Sequence, residues 1–190
     1  MTINSYFNYQ QKEPKWHDWE LLRHGQIPHN LKPWLLDNGS LTRNMQRNCI
    51  NGRFKVKVRK QIIKRPYPSE SLMLKLRHGV LTLIREVELQ CSDTAWVFAR
   101  TLIPLTTLHG AENKLAHLGE RPLGAILFAD PTIQRHHVQI ACLLPHHTLF
   151  KQAQCYTTAP QILWGRRTLF FLANKPLLVN EIFLPTIYRI

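Results

Sequence analysis

The chain has 190 residues, 44% hydrophobic and 19% charged, without any low-complexity block. That excludes a disordered or collagen-like polymer and is long enough for one domain that buries about 70% of its unfolded surface. No stretch approaches the ~20 apolar residues of a membrane-spanning helix, the polar start MTINSYFNYQQKEPK lacks the apolar segment of a secretory leader, and a formal charge of +13 favours anionic partners.

Residues 1–30 are polar and carry Trp16 and Trp19, which read as anchors of a terminal arm, with a short helix predicted near 16–22. Trp34-Leu35-Leu36 then runs into Asn38-Gly39, a helix stop, and Ser40 is suited to N-cap a second helix from Leu41. Two short helices joined by a tight turn form a flap-like unit. Over 53–63, Phe54, Val56 and Val58 alternate with Lys55, Lys57 and Arg59, the pattern of a half-exposed strand with a solvated basic face. A nucleic-acid site would want basic residues interleaved with aromatics on one element, so no nucleic-acid partner is expected. A field that steers a small anion is compatible with the same charge. Pro66, Pro68 and Ser69-Glu70-Ser71 end the strand.

The second strand is predicted over 80–91, with Leu81, Leu83, Arg85, Val87 and Leu89 on one face and Thr82, Glu86 and Glu88 on the other. Ser92-Asp93-Thr94 turns it into a strand over 96–103, ended by Pro104, which makes an antiparallel hairpin. Residues 111–118 and 123–128 flank Gly119-Glu120-Arg121-Pro122 as a second helix pair. A strand follows over 132–144, and 145–162 reads as a loop or insertion. Residues 164–185 form a closing hairpin around Ala173-Asn174-Lys175-Pro176. Consecutive strands with helices in two inserted pairs predict an α+β fold with a single antiparallel sheet.

Four cysteines (Cys49, Cys91, Cys142, Cys155) are scattered without a C-x-x-C pair, which predicts reduced, packed thiols in a cytoplasm. The pairs His136-His137 and His146-His147 cannot ligate one metal from a strand, because neighbours there point to opposite faces. No G-x-S-x-G, P-loop or G-x-G-x-x-G is present. Two charges stand out instead. Glu181 shares a strand face with Leu177, Val179 and Phe183, and Arg85 lies in the middle of the apolar face of 80–91. A buried charge without a partner costs several kcal/mol. The two residues could therefore form a buried ion pair within the sheet or face each other across a ligand, with Arg85 on a carboxylate and Glu181 on a hydroxyl. The residues alone leave both open.

Several segments together resemble the chorismate lyase family of the bacterial ubiquinone pathway. They are Leu83-Ile84-Arg85-Glu86, Ala99-Arg100-Thr101 with Pro104, Leu118-Gly119 with Arg121-Pro122-Leu123-Gly124, Trp164-Gly165-Arg166-Arg167, Lys175-Pro176-Leu177-Leu178 and Glu181-Ile182-Phe183-Leu184-Pro185. The resemblance implies a cofactor-free lyase that converts chorismate to 4-hydroxybenzoate and pyruvate, with two helix-turn-helix flaps over a buried site. It places substrate and product contacts on Leu41, Arg85, Leu123 and Glu181, with Arg85 and Glu181 catalytic. Arg100 and Arg135 are candidates to stabilise the leaving enolpyruvate. The whole chain is expected to be one such domain and a cytoplasmic monomer, with 1–30 as an N-terminal extension and 141–163 as an insertion. The competing expectation is a non-catalytic small-molecule sensor like the ligand-binding domains of GntR-type regulators, which the same architecture resembles.

Overall fold

The computed structural model describes residues 12–21, 27–153 and 162–189. In chain order these form β1 (His17–Asp18), α1 (Lys32–Leu35), α2 (Leu41–Asn48), β2 (Phe54–Lys64), α3 (Pro68–Met73), β3 (Thr82–Cys91), β4 (Thr94–Pro104), α4 (Leu123–Leu127), β5 (Gln134–Leu143), α5 (Thr148–Ala153), β6 (Leu163–Leu172) and β7 (Lys175–Phe183). The strands make one antiparallel sheet in the order β1-β5-β6-β7-β4-β3-β2. The α+β expectation is met.

Both faces of the central strands are covered, which is why β7 reads apolar on both sides. One face lies under two flaps. The first is α1 and α2, whose Leu41 and Met45 pack with Val87, Ala99, Trp164 and Phe183. The second is a 3-10 segment, Gly110–His117, followed by α4; Leu115 and Leu127 pack with Leu83, Phe170 and Val179. The other face lies under α3 and α5, where Phe150 meets Phe98 and Ile182, and Leu74 meets Ile84 and Leu178.

Local chemistry sets the element ends. Ser40 Oγ accepts from Arg43 N and caps α2. Ala173 and Asn174, at φ 48° and 62°, make a two-residue turn between Leu172 and Lys175, the left-handed geometry that matches strand twist in tight hairpins. The two flaps approach closely at Gly124, where a Cβ would lie 2.9 Å from Thr42 Oγ1, so the side chain is absent where the flaps meet.

Several sequence expectations need correction. The helix predicted near 16–22 is instead β1 and a 3-10 turn, Trp19–Leu21, with Leu22 outside the described residues. The loop or insertion predicted over 145–162 contains α5, while Ala141 to Leu143 continue β5; Cys155 lies outside the described residues. The strand β2 does end before Pro66, as expected, but Ser69-Glu70-Ser71 also lie in a helix, α3, that was not predicted. Pro68 takes the first helical position, and Glu70 Oε2 accepts from Tyr67 N at 2.9 Å as a reciprocal cap.

The cysteine expectation also fails in part. Cys49, just past α2, and Cys91, at the end of β3, form a disulfide with a Cα separation of 5.7 Å. The antiparallel pairing of β2 with β3, with Phe54 opposite Cys91, returns the chain to the point where the first flap ends. Cys142 is half-buried and free.

Candidate active site

A cavity of about 60 Å³ lies between the sheet and the flaps, bounded by Leu41, Arg85, Leu123 and Glu181 together with Val87, Ala99, Thr101, Phe170 and Val179. The four predicted contact residues thus come together: Arg85 from β3, Glu181 from β7, Leu41 from the first flap and Leu123 from the second. About 60 Å³ has room for about two waters, against about 300 Å³ or more for an ordinary ligand pocket. A ring-sized ligand does not fit this space as it stands.

Register explains how the charges reach this face. Residues directly opposite on neighbouring strands share a side of the sheet. Arg85, Thr101, Val179 and Thr168 form one such row across β3, β4, β7 and β6, and Val87, Ala99, Glu181 and Arg166 form the next. Arg85 and Glu181 are two strands apart, about 10 Å, and they are not an ion pair. That removes one of the two open readings.

Arg85 is only 2% exposed. Its Nη2 donates to Arg121 O at 3.4 Å, a long bond to the turn of the second flap, and its Nη1 has no hydrogen-bond partner among the described residues. Burial pushes its ionisation below the usual guanidinium range, with no compensating carboxylate. A buried guanidinium with idle donors on a cavity wall has the chemistry to pair with an anion, a planar carboxylate above all.

Glu181 is held differently. Its Oε2 accepts from Arg166 Nε at 2.7 Å, leaving Oε1 free of any hydrogen bond to the described residues. Arg166 was not among the predicted site residues. Counting back from the two-residue turn at 173–174 puts it opposite Glu181, so the signal was present in the hairpin. Arg135 on β5 lies in the same electrostatic neighbourhood. Burial, followed by the like charge of Arg166, lowers its ionisation, while Glu181 and Asp37 oppose that shift. Its Nη1 donates to Asp37 O at 3.1 Å, and its Nε has no partner among the described residues.

Arg100 does not belong to this face, which corrects its candidacy. It lies opposite Glu86 and Asn180 on the α3 side. There it donates to Glu70 Oε1 and Oε2 at 2.9 and 3.1 Å and to Glu86 Oε1 at 2.6 Å, with its guanidinium over the Tyr67 ring. Each of its three guanidinium nitrogens is engaged by a carboxylate. Among the described residues, no group of three or more His, Cys, Asp or Glu is arranged to hold a metal ion.

A family model described as chorismate lyase matches residues 16–190. Curated relatives include a "Probable chorismate pyruvate-lyase" of Methylococcus capsulatus, 42% identical over 84% of this chain and 98% of that protein. Another of the same description, from Aromatoleum aromaticum, is 41% identical over 87% of this chain and 90% of that protein. Among solved structures, the effector domain of PhnF from Mycobacterium smegmatis superposes with a TM-score of 0.55 at 14% identity, covering 78% of this chain and 90% of that one. The ligand-binding domain of a putative GntR-family regulator from Bordetella bronchiseptica gives 0.52 at 13% identity, over 71% and 86%. At such identity the two structures share the fold alone.

Proposed function

The chain belongs to the chorismate lyase family, and from that premise we propose how its pocket turns chorismate into 4-hydroxybenzoate and pyruvate. The observation that carries the reading is the unpartnered, buried Arg85 on the cavity wall, two strands from a Glu181 that has one carboxylate oxygen in use.

Arg85 receives the ring carboxylate in a bidentate pair. Glu181 contacts the ring hydroxyl at the far end, and Leu41 and Leu123 close on the two ring faces from the flaps. The reaction needs little force. The C4–H bond gives up its proton, its electrons complete the aromatic sextet, the C3–O bond breaks, and the released enolpyruvate is protonated at its methylene carbon to give pyruvate. Aromatisation drives the process, so the protein mainly positions the reactant and stabilises developing charge. The Glu181 carboxylate stands where the C4 proton leaves. Arg135, with a buried Nε to spare at the Glu181 end of the site, answers the enolpyruvyl carboxylate. Removal of Arg100 from consideration leaves it the better of the two cations considered.

The product keeps the carboxylate and the hydroxyl that both ends grip, so it leaves slowly, and flap opening limits turnover. 4-Hydroxybenzoate therefore inhibits, and progress curves bend as it accumulates; curves that stay linear contradict this. We read the protein as a single-domain monomer that acts without nucleic acid or cofactor. Among the described residues, no helix is long and apolar enough to cross a membrane, and we place the enzyme in the cytoplasm. The disulfide runs against a reducing compartment, so a Cys49/Cys91 dithiol is the form expected there.

The test is to incubate the purified chain with chorismate alone, with neither metal nor nucleotide, and to measure pyruvate. Stoichiometric release of pyruvate and 4-hydroxybenzoate is expected. A chain that binds chorismate without releasing pyruvate is a sensor and overturns the assignment.

A further inference from the structure

Arg166 has no assigned part in the chemistry above, yet it occupies the centre of the site's architecture. It lies on β6 directly across from Glu181, with 2% of its side chain exposed, and its guanidinium faces the Phe183 ring at 6.0 Å. Nε donates to Glu181 Oε2 at 2.7 Å, while Nη1 donates to Trp34 O at 3.1 Å and to Asp37 O at 2.8 Å. Those carbonyls belong to the last turn of α1 and to Asp37, two residues past its end. The end of a helix leaves its final carbonyls without intrahelical donors, and burying them unmet costs as much as a lost hydrogen bond. One side chain thus satisfies the carboxylate and the flap turn together.

A guanidinium is suited to serve both. Its planar fork presents donors along divergent directions at fixed spacing, whereas an ammonium is a compact point charge on a flexible stem. The other charged groups around the Glu181 carboxylate do not duplicate the arrangement. Arg135 reaches the same Asp37 carbonyl from β5 at 3.1 Å, Arg85 faces the second flap from β3, and the Asp37 carboxylate is engaged by Gly39 N and Asn44 Nδ2.

We propose that Arg166 is a positioning residue that latches the first flap to Glu181, so that seating of the flap turn and orientation of the carboxylate are one coupled event. This rests on the function proposed above, to which it adds how the site knows that it is closed. When the turn at 34–37 lifts, Arg166 loses two acceptors and its hold on Glu181 is no longer fixed in direction. When Glu181 turns away, the guanidinium is free to swing, and the turn loses its main anchor. By linkage each effect must appear in the other.

The experiment compares wild type, Arg166→Lys, Glu181→Gln and the double variant, each checked for native unfolding. Three quantities are read: the single-turnover rate with chorismate, the dissociation rate of 4-hydroxybenzoate, and amide hydrogen exchange over residues 32–41. In Arg166→Lys, exchange over 32–41 and product dissociation are expected to accelerate by about tenfold, the loss of about one charge-assisted hydrogen bond, while the single-turnover rate falls. The two substitutions should be markedly non-additive. Additive losses, or native exchange over 32–41 in a folded Arg166→Lys, overturn the latch; a merely structural arginine would lower the unfolding midpoint and leave these ratios untouched. Should Arg166→Lys not fold, Glu181→Gln decides, because the latch requires its 32–41 exchange to rise and unchanged exchange overturns it. The exchange readout needs no activity. A chain that releases no pyruvate sinks the proposed function, whereas unchanged exchange sinks the latch alone.

Discussion

The strands β3, β4 and β7 carry buried charge on both faces of the sheet, and the arginines of the two faces, Arg100 on one and Arg85 on the other, are treated in opposite ways. On the α3 side, Glu86, Arg100, Asn180, Arg167 and Gln139 line up strand by strand. Glu70 drops from α3 onto Arg100 and onto Asn180 Nδ2 at 3.0 Å, and Arg167 donates to Gln139 Oε1 at 2.8 Å and to Ser69 Oγ at 3.0 Å. Attraction to Glu70 and Glu86 outweighs burial and holds Arg100 above the usual guanidinium range. On the flap side, Arg85 has one long bond to a carbonyl and idle donors, and burial pushes its ionisation down. Two arginines with nearly equal exposure, 2% and 3%, are therefore distinguished by their partners. A buried charge met at every nitrogen is accounted for by the fold; one with idle donors beside a cavity is, on the function proposed above, reserved for a ligand.

The sharpest way to break this contrast is to truncate each arginine in turn. Arg100→Ala strands the Glu70 and Glu86 carboxylates in a dry layer and is expected to cost about 3–5 kcal/mol of stability, measured by urea unfolding. Arg85→Met removes a charge with no carboxylate to abandon, so its unfolding midpoint should stay level or rise. Equal destabilisation by the two would erase the distinction.

Reducing the Cys49–Cys91 disulfide opens a loop with a sequence separation of 42. It is expected to lower stability by about 2–4 kcal/mol, largely through the unfolded chain, while pyruvate release survives, because the flap face keeps Arg85, Arg166 and Glu181. Thermal unfolding and a chorismate assay, each with and without reductant, check both halves. Activity that vanishes on reduction would tie the disulfide to the site.

The smallest effect concerns Glu13 on the α3 side, which accepts from Ser69 N and Ser69 Oγ. Burial raises its ionisation above 4.5, more than those hydrogen bonds lower it. A carboxyl that holds its proton more tightly in the folded chain stabilises most at low pH, and that stability is lost as pH rises from about 4.5 through the folded value. Glu13→Gln should flatten this dependence by less than about 1 kcal/mol, read as unfolding free energy against pH. A wild-type curve that rises relative to that of Glu13→Gln over the same window contradicts the sign.

Legibility followed the hairpins. The closing pair β6–β7 runs from its two-residue turn to Trp164 and Phe183 without a register shift, so period-two reading placed Glu181 correctly and could have placed Arg166. The β3–β4 hairpin is different. A tight turn pairs Cys91 with Thr94, but a bulge shifts the register between Leu89 and Gln90. Extended from the turn alone, that register would set Arg85 across from Arg100; the bulge sets it across from Thr101 and sends Arg100 to the other face. A one-residue slip exchanges the faces of a strand, and nothing in Thr94-Ala95-Trp96 announces it. The helix α3 was hidden by reading Pro66 and Pro68 as breakers, although Pro at the first helical position with Glu70 two residues on is also a helix start. The disulfide depended on how β2 returns along β3, a tertiary fact that cysteine spacing does not carry.

The central claim is that Arg85 is kept unpaired in order to hold the carboxylate of the ring. Calorimetric titration of 4-hydroxybenzoate into wild type and Arg85→Met, with unfolding midpoints measured on the same samples, tests it most directly. The prediction is tight binding by wild type, affinity reduced at least about a hundredfold in the variant for loss of a buried charge pair, and an unfolding midpoint that does not fall. A natively folded Arg85→Met that binds 4-hydroxybenzoate as tightly as wild type would contradict it.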